Sequence, residues 1–261
     1  MELKILTWNI AWGYGNGSEG GPRYQAMPLS HFESSIESIS EMIRNLKIDI
    51  ALFQEVDFHS QRSHFYPELD TISRKTGLIY RSEEVSWDHP YIPYPGLNPM
   101  NHFGKMRSGG GIISRFPIRP VFSEHLPKPE ENLALYNWFY LNRYFQIVDI
   151  KGIRFCNLHL EAFSKENRLL HLSLLQNRLM DYKIDIAGGD FNGSIELTRK
   201  TLETYDTFLS PEATYPTPEA KDAIDGFVIA KNRFLNIKTL TLNTGTVSDH
   251  FPVLLELNQS Q

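Results

Sequence analysis

Ile184-Asp185-Ile186-Ala187-Gly188-Gly189-Asp190-Phe191-Asn192-Gly193 joins a short apolar run to a polar terminus. Ile184–Ala187 reads as a buried strand, and the chain then passes through two glycines into a carboxylate and a carboxamide. A plain glycine turn accounts for such a segment by itself. The same construction recurs, however, from one end of the sequence to the other. Leu3–Thr7 runs into Trp8-Asn9, Ile48–Phe53 into Gln54-Glu55, and Arg154–Leu158 into His159. Asp225 stands at the head of the run Ile224–Ala230, and Ser248-Asp249-His250 precedes Val253–Leu257. Strand termini are rigid, so several that meet at one sheet edge can hold polar groups at fixed separations.

Helices are read between those strands. Ser30 with Glu33 is a capping-box signature, and Ile36, Ile39, Ile43 and Leu46 follow at helical spacing, which predicts an amphipathic helix over Ser30–Lys47. Ser164–Tyr182 predicts a second, with Leu169, Leu172, Leu175 and Leu179 on one face, and a third falls within Phe65–Thr76 ahead of Gly77. Further strands are read at Gly111–Ser114, Tyr144–Ile150 and Ile237–Leu242. Gly13–Gly21 is a glycine-rich stretch, and Arg81–Gly110, rich in Pro, Gly, Asn and His, reads as one long loop. Strands and helices alternate to both ends with no repeat or linker, so a single α/β domain over residues 1–261 is expected.

Composition narrows the function classes. With 261 residues, 41% of them apolar and 22% charged, the chain has the make-up of a globular protein with a deep core. The formal net charge of −5 disfavours binding to nucleic acid by bulk phosphate neutralisation, although a local basic rim stays open. Cys156, the single cysteine, excludes an internal disulfide and, inside the apolar run Ile153–Leu160, reads as a small core residue. Met1–Leu6 enters a strand-like run at once, and no apolar stretch has the length of a bilayer span. A cytoplasmic protein without membrane insertion or an obligate protein partner is therefore expected.

Carboxylate oxygens with an Asn carbonyl suit a hard cation such as magnesium, which keeps several waters and takes one or two direct carboxylates. A lone cysteine, with no HExxH or paired-cysteine spacing, serves soft metals poorly. A magnesium ion beside a histidine and a spare carboxylate meets the needs of phosphoryl transfer to water. Each residue also has an ordinary reading alone: Asn9 as a turn residue, Glu55 and Asp225 as surface carboxylates, His159 as a satisfied histidine, Ser248-Asp249-His250 as a cap. Their joint occurrence in this order is the signal.

Thr7-Trp8-Asn9, Phe53-Gln54-Glu55-Val56, Asn157-Leu158-His159-Leu160, Gly189-Asp190-Phe191-Asn192, Ile224-Asp225 and Ser248-Asp249-His250-Phe251-Pro252-Val253 together resemble the endonuclease/exonuclease/phosphatase superfamily, the deoxyribonuclease I-like fold. Gly111–Ile118 resembles that family's central strand and turn. The resemblance implies a four-layer α-β-β-α sandwich, two central mixed β-sheets flanked by helices. It also implies roles. Glu55 would bind Mg2+, with Mn2+ able to substitute, helped by Asn9 and Asp249. Asp190 would orient or deprotonate the attacking water, with Asn192 holding the water or a phosphate oxygen. His250, oriented by Asp225, would touch the phosphate. His159 would stabilise the transition state or protonate the leaving oxygen, although no carboxylate partner for it is placed.

The branch is not set by these motifs. Ala223-Ile224-Asp225-Gly226 stands where inositol polyphosphate 5-phosphatases carry Trp-Cys-Asp-Arg, and Gly193-Ser194-Ile195 where tyrosyl-DNA phosphodiesterase 2-like proteins carry Leu-Arg-Asp. The resulting expectation is a magnesium-dependent phosphodiesterase acting on a phosphate ester, nucleic acid among the candidates. The alternatives are a lipid or small-molecule phosphodiesterase or phosphatase of the same superfamily, or a catalytically silent binding module of that fold. Substrate contacts are expected from Arg81–Gly110: Trp87 and Tyr94 to stack, Lys105 and Arg107 to hold a phosphate, ahead of Ser108-Gly109-Gly110-Gly111. Those aromatics could equally pack the loop onto the sheet.

Overall fold

β1 (Glu2–Asn9) is parallel to β2 (Ile50–Asp57), and between them runs α1 (Leu29–Leu46). α2 (Glu68–Thr76), β3 (Tyr80–Ile92), β4 (Gly104–Ser114) and β5 (Ile118–His125) follow. α3 (Ala134–Phe139) then leads to β6 (Tyr144–Ile150), β7 (Ile153–His159), α4 (Lys165–Asp181) and β8 (Ile186–Asp190). The chain closes with α5 (Ile195–Thr201), β9 (Tyr205–Leu209), β10 (Asp225–Ala230), β11 (Phe234–Thr241) and β12 (Val253–Gln259). The computed structural model describes residues 2–15, 26–94, 99–193, 195–202, 205–210 and 212–259. Most of the glycine-rich stretch Gly13–Gly21 lies outside the described residues.

Two six-stranded sheets result, one in the order β11-β12-β1-β2-β4-β3, the other β5-β6-β7-β8-β10-β9. Both are mixed: β1–β2 and β7–β8 are parallel at the centres, and their outer neighbours run antiparallel. The sheets face each other through a core to which the first gives Leu3, Ile5 and Leu52 and the second Phe155, Ile186 and Phe227. Ile36, Ile39 and Ile43 of α1, with Ile72 of α2, cover the outer face of the first sheet. Leu172, Leu175 and Leu179 of α4 cover the second, over Phe145, Leu158 and the buried Cys156. This is the expected four-layer sandwich. No helix among the described residues is long and apolar enough to cross a membrane.

The two sheets are tied just below the site by buried side chains. Gln54 Nε2 donates to Asn157 Oδ1 at 2.7 Å and to Thr7 Oγ1 at 3.2 Å, and Asn157 Nδ2 donates back to the Phe53 carbonyl at 3.0 Å. At Gly188 a Cβ would lie 2.6 Å from Phe227 and 2.9 Å from Leu52, so only glycine lets the sheets approach there.

Two sequence expectations are corrected. Arg81–Gly110 is not a loop, because β3 and β4 pair antiparallel along most of it. β3 is the edge strand of its sheet, and an edge tolerates the charges and Pro90 that hid its alternation. Ser30 does not cap α1: the helix begins at Leu29 after Pro28, with no side-chain cap bond. α4 does carry its cap, Ser164 Oγ accepting from the Asn167 amide at 3.3 Å.

Candidate active site

Topology brings the polar strand ends together. β1, β2, β7 and β8 end at one edge, where the antiparallel strands β10 and β12 begin. Across the second sheet, His159 is the registered partner of Asp190, and Asp190 of Asp225. In the first sheet Asn9 is registered with Gln54, and His250 precedes β12. Asn9, Glu55, His159, Asp190, Asn192, Asp249 and His250 all line one cleft of about 520 Å³. Asp225 sits behind His250. These are the sequence-selected residues, now in one place.

Glu55 owes its aim to a local irregularity. The pairing of β2 with β4 shifts between Phe53 and Val56, and Glu55 itself has φ 55°. A bulge with left-handed backbone turns its carboxylate into the cleft, a conformation that a regular strand residue does not adopt. Burial, then the facing Asp249, pushes its pKa up to about 8. Burial also raises Asp249, against the pull of His250.

Asp190 is held from several sides. Its Oδ2 accepts from Asn9 Nδ2 at 3.1 Å and its Oδ1 from the Asn192 amide at 2.9 Å. Asn192, at φ 50°, anchors its own Nδ2 on the Leu160 carbonyl at 3.0 Å. Burial and the neighbouring Asp225 lift Asp190 to about 6.

The two histidines differ in charge. His250 Nδ1 lies 2.8 Å from Asp225 Oδ2, which also accepts from Thr214 Oγ1 at 2.6 Å. Burial opposes its protonation, but Asp225 and then Asp249 outweigh that and hold it well above the ordinary range. Its backbone is fixed too, the Trp8 indole donating to the His250 carbonyl at 2.8 Å. His159 is driven the other way, by burial and by Arg143, whose guanidinium donates to His159 Nε2. Its Nε2 stands 3.5 Å from Asp190 and 3.8 Å from Glu55. His159 is thus a neutral acceptor beside a buried cation.

Arg143 escaped the sequence reading. It is 4% exposed, lines the cleft, and immediately precedes β6, whose first residue Tyr144 is registered with His159. An arginine at the head of a strand antiparallel to a motif strand was the available signal. Glu161 was missed as well: fully buried, it accepts from the Tyr140 hydroxyl at 2.6 Å and the Phe163 amide at 2.9 Å.

Of the expected substrate contacts, Trp87 and Tyr94 line the cleft, and Lys105 and Arg107 do not. On β4 the buried Met106 lies between them, so strand alternation turns both cations to the opposite face. There Arg107 pairs with Glu83 at 3.3 Å. The glycines after them are packing positions: a Cβ on Gly110 would overlap the Tyr144 ring system, and one on Gly111 would lie 2.6 Å from Leu69.

Donors for a cation are present in two sets. Asp190, Asp225 and His250 bring ligand atoms within 4.8 Å of one another. Glu55 and Asp249 form the other set, a largely buried and a buried carboxylate that line one cleft, Asp249 adding to the rise in the proton affinity of Glu55.

Comparisons with known proteins agree with this geometry. The profile of the Endonuclease/Exonuclease/phosphatase family matches residues 6–250. Among solved structures, an endonuclease/exonuclease/phosphatase family protein from Bacteroides thetaiotaomicron superposes with TM-score 0.67 at 16% identity, covering 100% of this chain and 99% of that one. The mannosyl-6-phosphatase of Bacteroides thetaiotaomicron VPI-5482 gives 0.65 at 16%, over 98% and 99%. The human Nocturnin catalytic domain, with a bound sulfate anion, gives 0.60 at 18%, over 99% and 94%. No curated protein matches the sequence.

Proposed function

The chain belongs to the endonuclease/exonuclease/phosphatase family, a family of phosphoesterases, and from that premise we propose that it hydrolyses a phosphate ester with the help of a divalent cation, magnesium first. The observation that carries the reading is the convergence of all the cleft-lining motif residues on one cleft, each with a chemically distinct environment.

Glu55 and Asp249 fit a cation best. Asp249 is buried and Glu55 largely so, both are disfavoured as charges without one, and oxygen donors suit a hard ion. Asp225 and His250 suit it less, because Asp225 Oδ2 and His250 Nδ1 are engaged with each other and Thr214 also donates to that oxygen. Asn9 stands beside the pair and steadies Asp190. A bound divalent ion supplies charge neutralisation on the phosphate oxygens.

The protein's own groups supply the rest. Asp190, held by Asn9 and Asn192, accepts a proton from water and aims the oxygen at phosphorus. His250, charged through Asp225, donates a hydrogen bond to a non-bridging oxygen. Arg143, held by its bond to His159 Nε2, adds a second cation that offsets the charge on the leaving oxygen as its bond to phosphorus breaks and the bond from the water oxygen forms.

The direct test follows release of product from a bis-aryl phosphodiester and an aryl phosphomonoester. Exhaustive chelation should abolish turnover, and magnesium or manganese should restore it. Full activity after chelation would sink the reading.

A further inference from the structure

The cleft has two chemically different halves. Facing the polar residues is a wall that includes Trp12, Trp87, Tyr94, Phe103 and Phe139. Its rings are assembled before any ligand arrives. Trp87 and Phe103 meet edge to face with centroids 6.2 Å apart, Trp12 lies 6.2 Å from Trp87, and Tyr94 lies 5.2 Å from Phe103. The Trp87 indole donates to the Phe139 carbonyl at 2.9 Å, which ties β3 to the end of α3.

One buried cation organises the wall without charging it. The Arg62 guanidinium sits 4.0 Å from the Trp12 ring centroid and 4.6 Å from that of Phe103. Its Nε and Nη2 each donate to Asp57 at 2.9 Å, so the charge is offset within the protein. Arg143 is the only Lys or Arg among the described residues that line the cleft, and it lies on the polar side against His159. Glu55, Asp190 and Asp249 line that side too.

This layout provides cationic contact for one phosphate. A polynucleotide carries a charge at every linkage, and its sites add a track of cations to the rings on which bases stack. Here the described residues give the rings without the track, since Lys105 and Arg107 do not line the cleft. About 520 Å³ is room for a phosphate and one or two fused rings, within the usual range for small-molecule sites.

Resting on the phosphoesterase reading, we infer that the wall is the subsite for the non-phosphate part of the substrate. That substrate is a small phosphoester whose single ester body is a flat, largely apolar ring system. Tyr94 and Phe139, the more exposed rings, stack on it, backed by the buried Trp12, Trp87 and Phe103, and the polar side takes the phosphate.

Calorimetry with non-hydrolysable phosphonates tests this without turnover. Dissociation constants are measured for methyl-, phenyl- and naphthylphosphonate, with a single-stranded oligonucleotide and phosphatidylcholine vesicles for comparison. Affinity should rise by about tenfold or more from methyl to naphthyl, as stacking on aromatic side chains predicts. Phe139→Ala, and separately the partly exposed Tyr94→Ala, should shrink that ratio toward one. Equal affinity across the series, or tighter binding of the oligonucleotide or the vesicles, overturns the inference. Ring preference without turnover of any ester would break the enzymatic reading instead, and turnover without ring preference would break only the subsite.

Discussion

The polar floor of the cleft and its aromatic wall are built by opposite means. The floor is made of strand ends from the middles of both sheets and the residues next to them, and its centre is positioned by register: His159, Asp190 and Asp225 are successive partners across β7, β8 and β10. The wall is made of side chains from an edge hairpin, the segment after β1, and α3, held by ring contacts and one buried ion pair. Precision in the floor comes from backbone pairing, and fit in the wall comes from packing. Substitutions in the floor should therefore change rate, and substitutions in the wall should change which molecule binds.

The largest effect is expected in the floor. Asp190→Asn should cost about 10³ in kcat, with no rescue by excess metal, because it removes a proton acceptor. Glu55→Gln should also be slow but should recover part of its rate as magnesium is raised. Equal rescue of both variants in a metal titration would erase the division between them.

Next comes Arg143, which distinguishes the histidines. With His159 held neutral, positive charge on that side comes from the guanidinium. Arg143→Ala should lower kcat by about 10², comparable to removing one donor from an oxyanion site. His159→Gln should cost less than that. A larger loss from the histidine than from the arginine would show that His159 works as the cation after all.

The floor was legible in the sequence because its residues end apolar runs, and a strand end is visible as a change of composition. Glu55 is the partial exception: its place in Gln54-Glu55 was readable, whereas the bulge that aims it was not, since it arises from pairing with β4. The wall was half legible. Trp87 and Tyr94 were picked from the right stretch, but that stretch was read as a loop because Asp88, Pro90 and the glycines mask an edge strand. Trp12, Phe103 and Phe139 join the wall through contacts between segments far apart in sequence, which no local pattern announces.

A smaller effect concerns pH and stability without metal. Glu55, pushed up to about 8, keeps a proton in the folded chain that the unfolded chain releases near the ordinary glutamate value. That contribution is complete at low pH and is lost as pH climbs toward 8. Asp190, raised to about 6, and His250, raised by Asp225, act with the same sign. His159 acts oppositely, but only below its ordinary value of 6.5. Between about pH 6.5 and 8 the thermal midpoint of the metal-free protein should fall. Glu55→Gln should flatten the slope, and magnesium should stabilise most at the alkaline end. A midpoint that rises over that interval contradicts a Glu55 carboxyl held protonated by its surroundings.

The smallest effect separates floor and wall from the rest of the surface. Lys105 and Arg107 carry the charges that the sequence offered for a phosphate contact, and a loop could have folded both over the cleft. A strand cannot: Met106 between them is buried against the wall cluster, which leaves its neighbours on the far face, and Arg107 is engaged by Glu83. An exposed pair of this kind contributes little, typically below about 1 kcal/mol. The double replacement Lys105→Ala with Arg107→Ala should leave kcat and KM within about twofold for aryl phosphoesters at low and moderate salt. A several-fold rise in KM, steeper at low ionic strength, would bring this face into substrate capture. It would extend the binding surface beyond the aromatic wall and toward a polyanion.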